Sequence, residues 1–268
     1  MIPALEIATS TDCGRVRSQN EDCLEASAAA GIAVLADGMG GHNAGEVASE
    51  MAVRLTTNSL LRGCEENRGA GVRSAESLLA SAIQHANVEI FRAAEQERAY
   101  RGMGTTIVAA LWHDGSVSVA HVGDSRAYRL RGGRLHPLTR DHTVVQEHVD
   151  AGLLTPTQAR SAPDRHVLTR AVGTELTLVV DVETHDVLPD DVYVLCSDGV
   201  HDMLNDRAIE DVVAANAAAV SSAAHLLIDR ANAAGGLDNA STIVVRVVAL
   251  PRAEGAGEST AFASRSAS

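Results

Sequence analysis

The sequence predicts an α+β domain in which antiparallel sheets lie inside and helices cover them. Three observations carry that reading: hairpin signals between consecutive apolar strands, two pairs of helical stretches around them, and no linker or repeat to divide the chain.

Leu5 to Thr11 reads as a short strand leading into a polar turn, Gly14 to Asp22, that carries Arg15, Arg17, Glu21 and Asp22. Ile32-Ala33-Val34-Leu35 is a buried strand that ends at Asp37 in a glycine-rich turn, Gly38-Met39-Gly40-Gly41-His42. Such glycines let a metal or phosphate come close to the backbone, and the Asp offers a hard oxygen. A tight turn with a solvated Asp fits this segment equally well. A helix follows over about 44 to 61, with Val47, Met51, Leu55 and Leu60 near helical spacing and Gly63 as its stop. Ser74 suits the N-cap of a second helix over about 75 to 99, where Leu78, Ile83, Val88, Ile90 and Phe91 form an amphipathic face.

The texture then changes. Thr105 to Trp112 and Val117 to Val122 form a hairpin around Asp114-Gly115, and Ser125 to Arg131 turns back at Gly132-Gly133 through Leu135. From His142 to Arg170 the pattern is helical in short pieces, with Thr155-Pro156 as an N-cap and N1 pair, and reads as a surface excursion. Strands resume over Leu176 to Glu183 and Val192 to Cys196, helices fill about 206 to 215 and 220 to 234, and Ser241 to Leu250 is a β-branched final strand. The tail, 251 to 268, is Ala, Ser, Gly and Glu with little to bury, and disorder is expected there.

With 268 residues and 46% hydrophobic composition the chain can fill a core. Its net charge of −13 argues against nucleic acid or an anionic membrane as a partner. Cys13, Cys23, Cys64 and Cys196 form no C-x-x-C pair, which points to a reduced cytoplasm rather than a disulfide framework. The start lacks the basic and apolar regions of a signal peptide, and no run approaches the roughly 20 apolar residues of a membrane span. A soluble, cytoplasmic monomer is expected.

Four apolar strands stop at, or begin after, an Asp beside Gly or Asn: Asp37, Asp124, Asp198 and Asp238. Carboxylates repel one another and resist burial, so if these strand ends converge they need cations or protons. Only oxygen ligands recur, which selects Mg²⁺ or Mn²⁺ over zinc. Their distance along the chain leaves convergence open.

Arg17-x-x-x-Glu21-Asp22, Ala36-Asp37-Gly38-Met39-Gly40-Gly41-His42, Gly104-Thr105-Thr106, Gly123-Asp124-Ser125-Arg126, Leu168-Thr169-Arg170-Ala171-Val172-Gly173, Ser197-Asp198-Gly199 and Asp238-Asn239-Ala240-Ser241 occur in order. Each is weak alone. Together they closely resemble the bacterial branch of the metal-dependent protein phosphatases, the PPM family or protein phosphatase type 2C, from about residue 6 to about residue 249. The resemblance implies an αββα sandwich of two mainly antiparallel sheets flanked by pairs of helices, with residues 1–250 as the catalytic domain.

It also implies that Asp37 bridges two Mn²⁺ or Mg²⁺ ions, with the Gly38 carbonyl on one and Asp198 and Asp238 on the other. Glu21 and Asp22 would hold metal-bound waters, Asp124 with Asp198 a third ion, and Arg17 the substrate phosphate. Structural alternatives stay open: Asp22 as a loop anchor, and Asp124 with Arg126 as a turn salt bridge. Two cations roughly 3.5 to 4 Å apart lower the pKa of a shared water, and the resulting hydroxide attacks phosphorus in line. No phosphoenzyme is needed, in keeping with the absence of C-x-x-x-x-x-R and G-x-S-x-G.

Animal members place a histidine directly after the Asp-Gly, where this chain has Met39. His42 is the nearest candidate general acid, the alternatives being a structural role for it and a metal-bound water near Asp124. The excursion 142–170 corresponds to the flap beside the site in bacterial members. Its Arg160, Arg165 and His166 read first as a solvated face, with contact to acidic or phosphorylated protein surfaces as the alternative. The implied activity is hydrolysis of phosphoserine and phosphothreonine in proteins, reversing a serine/threonine kinase. A metal-dependent phosphodiesterase or nuclease is disfavoured by the acidic balance, and a pseudophosphatase by the intact Asp37, Asp198 and Asp238.

Overall fold

The computed structural model describes residues 1–40, 44–66 and 74–251. The chain opens with β1 (Ala4–Asp12), β2 (Asp22–Ser27) and β3 (Ile32–Met39), then two long helices, α1 (Ala44–Glu66) and α2 (Ala75–Gln96). Next come β4 (Gly104–Thr105), β5 (Ile107–His113), β6 (Ser116–Val122), β7 (Arg126–Arg131) and β8 (Arg134–Pro137). Two short helices, α3 (Val144–Asp150) and α4 (Pro156–Arg160), precede β9 (Asp181–Asp186) and β10 (Val192–Cys196). α5 (Asp198–His201), α6 (Asp206–Ala215), α7 (Val220–Ala233) and β11 (Ala240–Ala249) follow.

One sheet has the order β1-β11-β10-β7-β8 and the other β2-β3-β5-β6-β9, with β4 on β3. All of these pairings are antiparallel. Successive strand side chains point to opposite faces, and β3, β5 and β10 read as apolar runs because both of their faces are buried. β3 sends Ala33 and Leu35 into the layer between the sheets, and Ile32, Val34 and Ala36 toward α1 and α2. β10 likewise turns Tyr193 and Leu195 inward, and Val192, Val194 and Cys196 toward α6 and α7. Trp112 and Tyr193 meet edge to face at 5.5 Å in the central layer. The expected αββα sandwich is the architecture observed.

Several boundaries differ from expectation. Gly63 lies inside α1 instead of stopping it; a Cβ there would come within 2.7 Å of Leu78 Cδ2, so the glycine serves the close approach of α2. α2 ends at Gln96, and a 3₁₀ turn covers Arg98–Tyr100. The strand expected from Leu176 begins only at Asp181. Before it, Asn87 of α2 donates to the carbonyls of Glu175 and Leu176 at 2.9 and 3.3 Å, so a helix side chain satisfies backbone that a strand would pair. β2 follows the polar turn with no apolar run to announce it, being an edge strand against β3. Thr155 makes the expected cap, completed by Gln158 as a capping box. Residues 252–268 of the tail, for which disorder is expected, lie outside the described residues.

Candidate active site and metal centre

Antiparallel pairing sets the end of β1 beside the start of β11, and Asp22 directly opposite Asp37 on β2 and β3. The ends of β6 and β10 complete the same rim. A cleft of about 800 Å³ results, lined by Arg17, Glu21, Asp37, Gly38, Asp124, Asp198 and Asp238.

Backbone hydrogen bonds hold these groups. Asp37 N–H donates to Thr106 Oγ1 at 3.0 Å, and the Asp37 carbonyl accepts from Thr106 N–H at 2.9 Å and from the Thr105 hydroxyl at 2.8 Å. Thr106 Oγ1 is also 2.7 Å from Ser125 Oγ, linking Asp37 to the loop that bears Asp124. Gly38 N–H donates to the Glu21 carbonyl at 3.1 Å, and a Cβ on Gly38 would collide with the Gly45 carbonyl. The Glu21 carboxylate lies against Gly45 in the first turn of α1, where the helix dipole favours negative charge.

Asn239 is the organiser that sequence reasoning left without a role. Its Oδ1 accepts from Glu21 N–H at 2.8 Å, while its Nδ2 donates to the carbonyls of Cys13 and Gln19 at 3.0 and 2.8 Å. One amide therefore fixes the loop that carries Arg17. The adjacent Asp238 receives Asn239 N–H on Oδ1 at 2.8 Å and Arg17 Nη2 on Oδ2 at 2.7 Å. The only signal for Asn239 was its place in the Asp-Asn strand start.

Asp22 sits behind the cleft instead of lining it. Its Oδ2 accepts from Ser197 Oγ at 2.8 Å, and Ser197 Oγ in turn accepts from Ser241 N–H at 3.0 Å. This ties Asp22 to the loop that bears Asp198, whereas the structural alternative for Asp22 is an anchor of its own loop. The turn salt bridge between Asp124 and Arg126 does not form: Arg126 grips Asp141 with two bonds of 2.8 and 2.6 Å, leaving the Asp124 carboxylate buried at the cleft wall. His201 Nε2 holds the Asp124 carbonyl at 3.0 Å. His42 lies outside the described residues.

The end of the 142–170 excursion contributes to the cleft wall, where Arg165 and His166 stay partly exposed, at 38% and 47%. Arg165 and His166 line the cleft, with His166 Nδ1 3.8 Å from Asp198 Oδ2 and 3.5 Å from Asp202 Oδ2. Arg160 is more distant and pairs with Asp206 at 3.6 Å. A residue on a polar excursion gives no sign of which way it faces until the neck of that excursion is placed.

Crowding marks the carboxylates electrostatically. Burial, then repulsion from Asp22 and Asp198, holds Asp37 well above the usual carboxylate range. Burial, then repulsion from neighbouring acids, pushes Asp198 up to about 8 and Asp124 to about 7. Asp22 is raised to about 6, chiefly by burial. Buried oxygens on Asp22 and Asp198 (Oδ1 of each) lack a hydrogen-bond partner. A set of hard oxygens this short of cations suits Mg²⁺ or Mn²⁺.

The protein phosphatase 2C family model matches residues 12–231. The serine/threonine phosphatase Stp of Listeria monocytogenes is 38% identical over 238 residues, covering 88% of this chain and 93% of its own length. PstP of Mycobacterium tuberculosis is 38% identical over 245 residues, 91% of this chain and 45% of that protein. The crystal structure of M. tuberculosis PstP superposes with a TM-score of 0.82 at 36% identity, covering 91% of this chain and 99% of that one. A structure of the PstP catalytic domain with two manganese ions gives 0.79 at 35% identity, covering 91% and 98%. Motif order, fold and relatives agree along nearly the whole described chain, which belongs to the protein phosphatase 2C family and is a serine/threonine protein phosphatase.

Proposed function

We propose that this chain hydrolyses phosphoserine and phosphothreonine in proteins at the cleft, with Asp37, the Gly38 carbonyl, Asp198 and Asp238 holding two Mn²⁺ or Mg²⁺ ions and Asp124 with Asp198 a third. The observation that carries this is the gathering of four strand-end aspartates at one rim, where burial and mutual repulsion raise Asp37, Asp124 and Asp198 above the usual carboxylate range and cations would relieve the crowding. The manganese-bound relative supports the same ions here. When bound, such cations supply Lewis-acid stabilisation of phosphoryl oxygens and a water acidic enough to react near neutral pH.

The chain's own residues do the rest. Arg17, 57% exposed at the cleft, presents a planar guanidinium suited to phosphate oxygens. Thr105 and Thr106 fix the backbone of Asp37, and Asn239 fixes the Arg17 loop, so these groups need little reorganisation when substrate arrives. Glu21 sits at the rim and is proposed to orient water; Asp22 acts from behind through Ser197. His42 is the proposed proton donor to the leaving serine or threonine oxygen, a water near Asp124 being the alternative.

Residues 1–250 are proposed to act as one catalytic domain, supported by the pairing of β1 with β11 at the two ends of the described chain. The physiological counterpart is proposed to be a serine/threonine kinase that makes the phosphoproteins. A cytoplasmic site of action is supported by four cysteines that are all free thiols. Among the described residues no helix is long and apolar enough to cross a membrane. The test is turnover of a phosphothreonine peptide with Mn²⁺ or Mg²⁺ and with excess chelator: activity should vanish in chelator, and undiminished turnover there would reject the metal mechanism.

A further inference from the structure

A buried histidine at the neck of the 142–170 excursion has no part in the reaction described above. His142 and Gly123 exchange two hydrogen bonds: His142 N–H donates to the Gly123 carbonyl at 2.9 Å, and Gly123 N–H donates to His142 Nδ1 at 3.1 Å. Gly123 has φ +99°, and a Cβ there would come within 2.7 Å of Thr106, so its backbone has little room to shift. Asp124 is the next residue.

The same histidine holds the other side of the neck. Its carbonyl accepts from Thr169 N–H at 2.8 Å, and its Nε2 lies 3.3 Å from Asp181 Oδ2. Arg170 grips Asp181 through Oδ1 at 2.6 Å. His121 stacks on the ring with centroids 4.5 Å apart and bonds the Arg140 carbonyl at 2.7 Å. His121, His142 and Asp181 bring ligand-type atoms within 4.8 Å of one another, which suggests a metal site. The hydrogen bonds argue otherwise: because Nδ1 accepts from Gly123, the neutral ring carries its proton on Nε2, and that proton occupies the lone pair a metal would need.

We infer that His142 is a positioning residue whose ring and backbone join the Asp124 loop to both strands of the flap neck, so that Asp124 and the flap side chains over the cleft are held as one unit. The part concerning Asp124 rests on its proposed metal role; the part concerning the flap does not.

The two arms of the ring can be separated. In His142→Asn the side-chain oxygen stands near the place of Nδ1 and accepts from Gly123, but the shorter side chain does not reach Asp181. In His142→Ala both contacts go. Trypsin cleavage at Arg160 and Arg165 of the metal-free full chain reads the flap, and Mn²⁺ titration calorimetry reads the Asp124 site. His142→Asn should be cut about tenfold faster while binding Mn²⁺ within about twofold of wild type. His142→Ala should be cut faster and also lose about tenfold in affinity at the Mn²⁺ site that Asp124→Asn removes. Cleavage of His142→Asn at the wild-type rate would overturn the inference, and so would a folded His142→Ala with wild-type Mn²⁺ affinity. Should His142→Ala fail to fold, His142→Asn decides alone. If Asp124→Asn removes no Mn²⁺ site, the metal reading of Asp124 fails by itself and the cleavage rates still decide the lock.

Discussion

Arg17 Nη2 donates to Asp238 Oδ2 at 2.7 Å, so the proposed phosphate-binding residue is paired with a proposed metal ligand. The hydrogen bond raises the Arg17 pKa, and both partners are partly exposed, at 57% and 36%. A pair so wetted holds weakly, and a divalent cation can take the carboxylate from it. Metal loading would then release the guanidinium toward substrate.

Replacing Arg17 by Ala should lower kcat/KM for a phosphothreonine peptide roughly 30-fold or more, the size of a lost charge-assisted phosphate contact of about 2–3 kcal/mol. Arg17→Lys should recover only part, because an ammonium lacks the planar fork. Steady-state kinetics at saturating Mn²⁺ would measure both, and wild-type kcat/KM in the alanine variant would remove Arg17 from substrate binding.

Asp238→Asn should lose most turnover, on the order of 100-fold, while melting cooperatively like the parent. Asn keeps the shape and an oxygen for Asn239 N–H but not the charge. A fully active, metal-dependent variant would exclude Asp238 from the ligand set.

Metal-free protein should lose stability as pH rises from about 6.5 to about 8. Asp198 and Asp124, raised to about 8 and about 7 from 3.8, and Asp37, also held well above its usual value, keep protons that the unfolded chain has released. Their contribution is full below the unfolded value and disappears as pH rises through the folded values. His142, lowered to about 4 by burial and by His121 beside it, acts in the opposite sense, but only below its unfolded value of 6.5. Thermal melts in chelator should therefore fall by a few degrees across this window, and Mn²⁺ should abolish the fall because cations replace the protons. A metal-free melting temperature that climbs over the same range would contradict the crowding argument.

Gly38→Ala should destabilise the fold by about 2 kcal/mol or more, because the added Cβ meets the backbone carbonyls of Gly45 and, at 2.7 Å, Glu21, neither of which is a flexible side-chain end. Denaturant titration of the metal-free protein would show it. A midpoint equal to wild type would mean the turn has room that the structure denies.

Much of the fold was legible because strands buried on both faces must be apolar throughout. β3, β5, β10 and β11 therefore stood out, while the edge strand β2 and the segment before β9 did not. β2 has one sheet partner, β3, and the Leu176 and Leu178 carbonyls accept from Asn87 and Gln84 of α2, which no local pattern announces. Gly63 misled for a related reason: a glycine that ends a helix and one that admits a neighbouring helix look alike in sequence.

By itself the sequence determined the layered α+β class, the strand-end aspartates and, through the order of its motifs, the family, because these depend on local residue types and spacing. Only the tertiary structure decided that Asp37, Asp124, Asp198 and Asp238 share one rim, that Asp22 works from behind it, that Arg17 rests on Asp238, and that Arg165 and His166 line the same cleft. Those relations join residues up to 221 positions apart, as in Arg17 and Asp238. They come from antiparallel pairing of distant strands, which brings strand ends together without leaving a pattern in either segment.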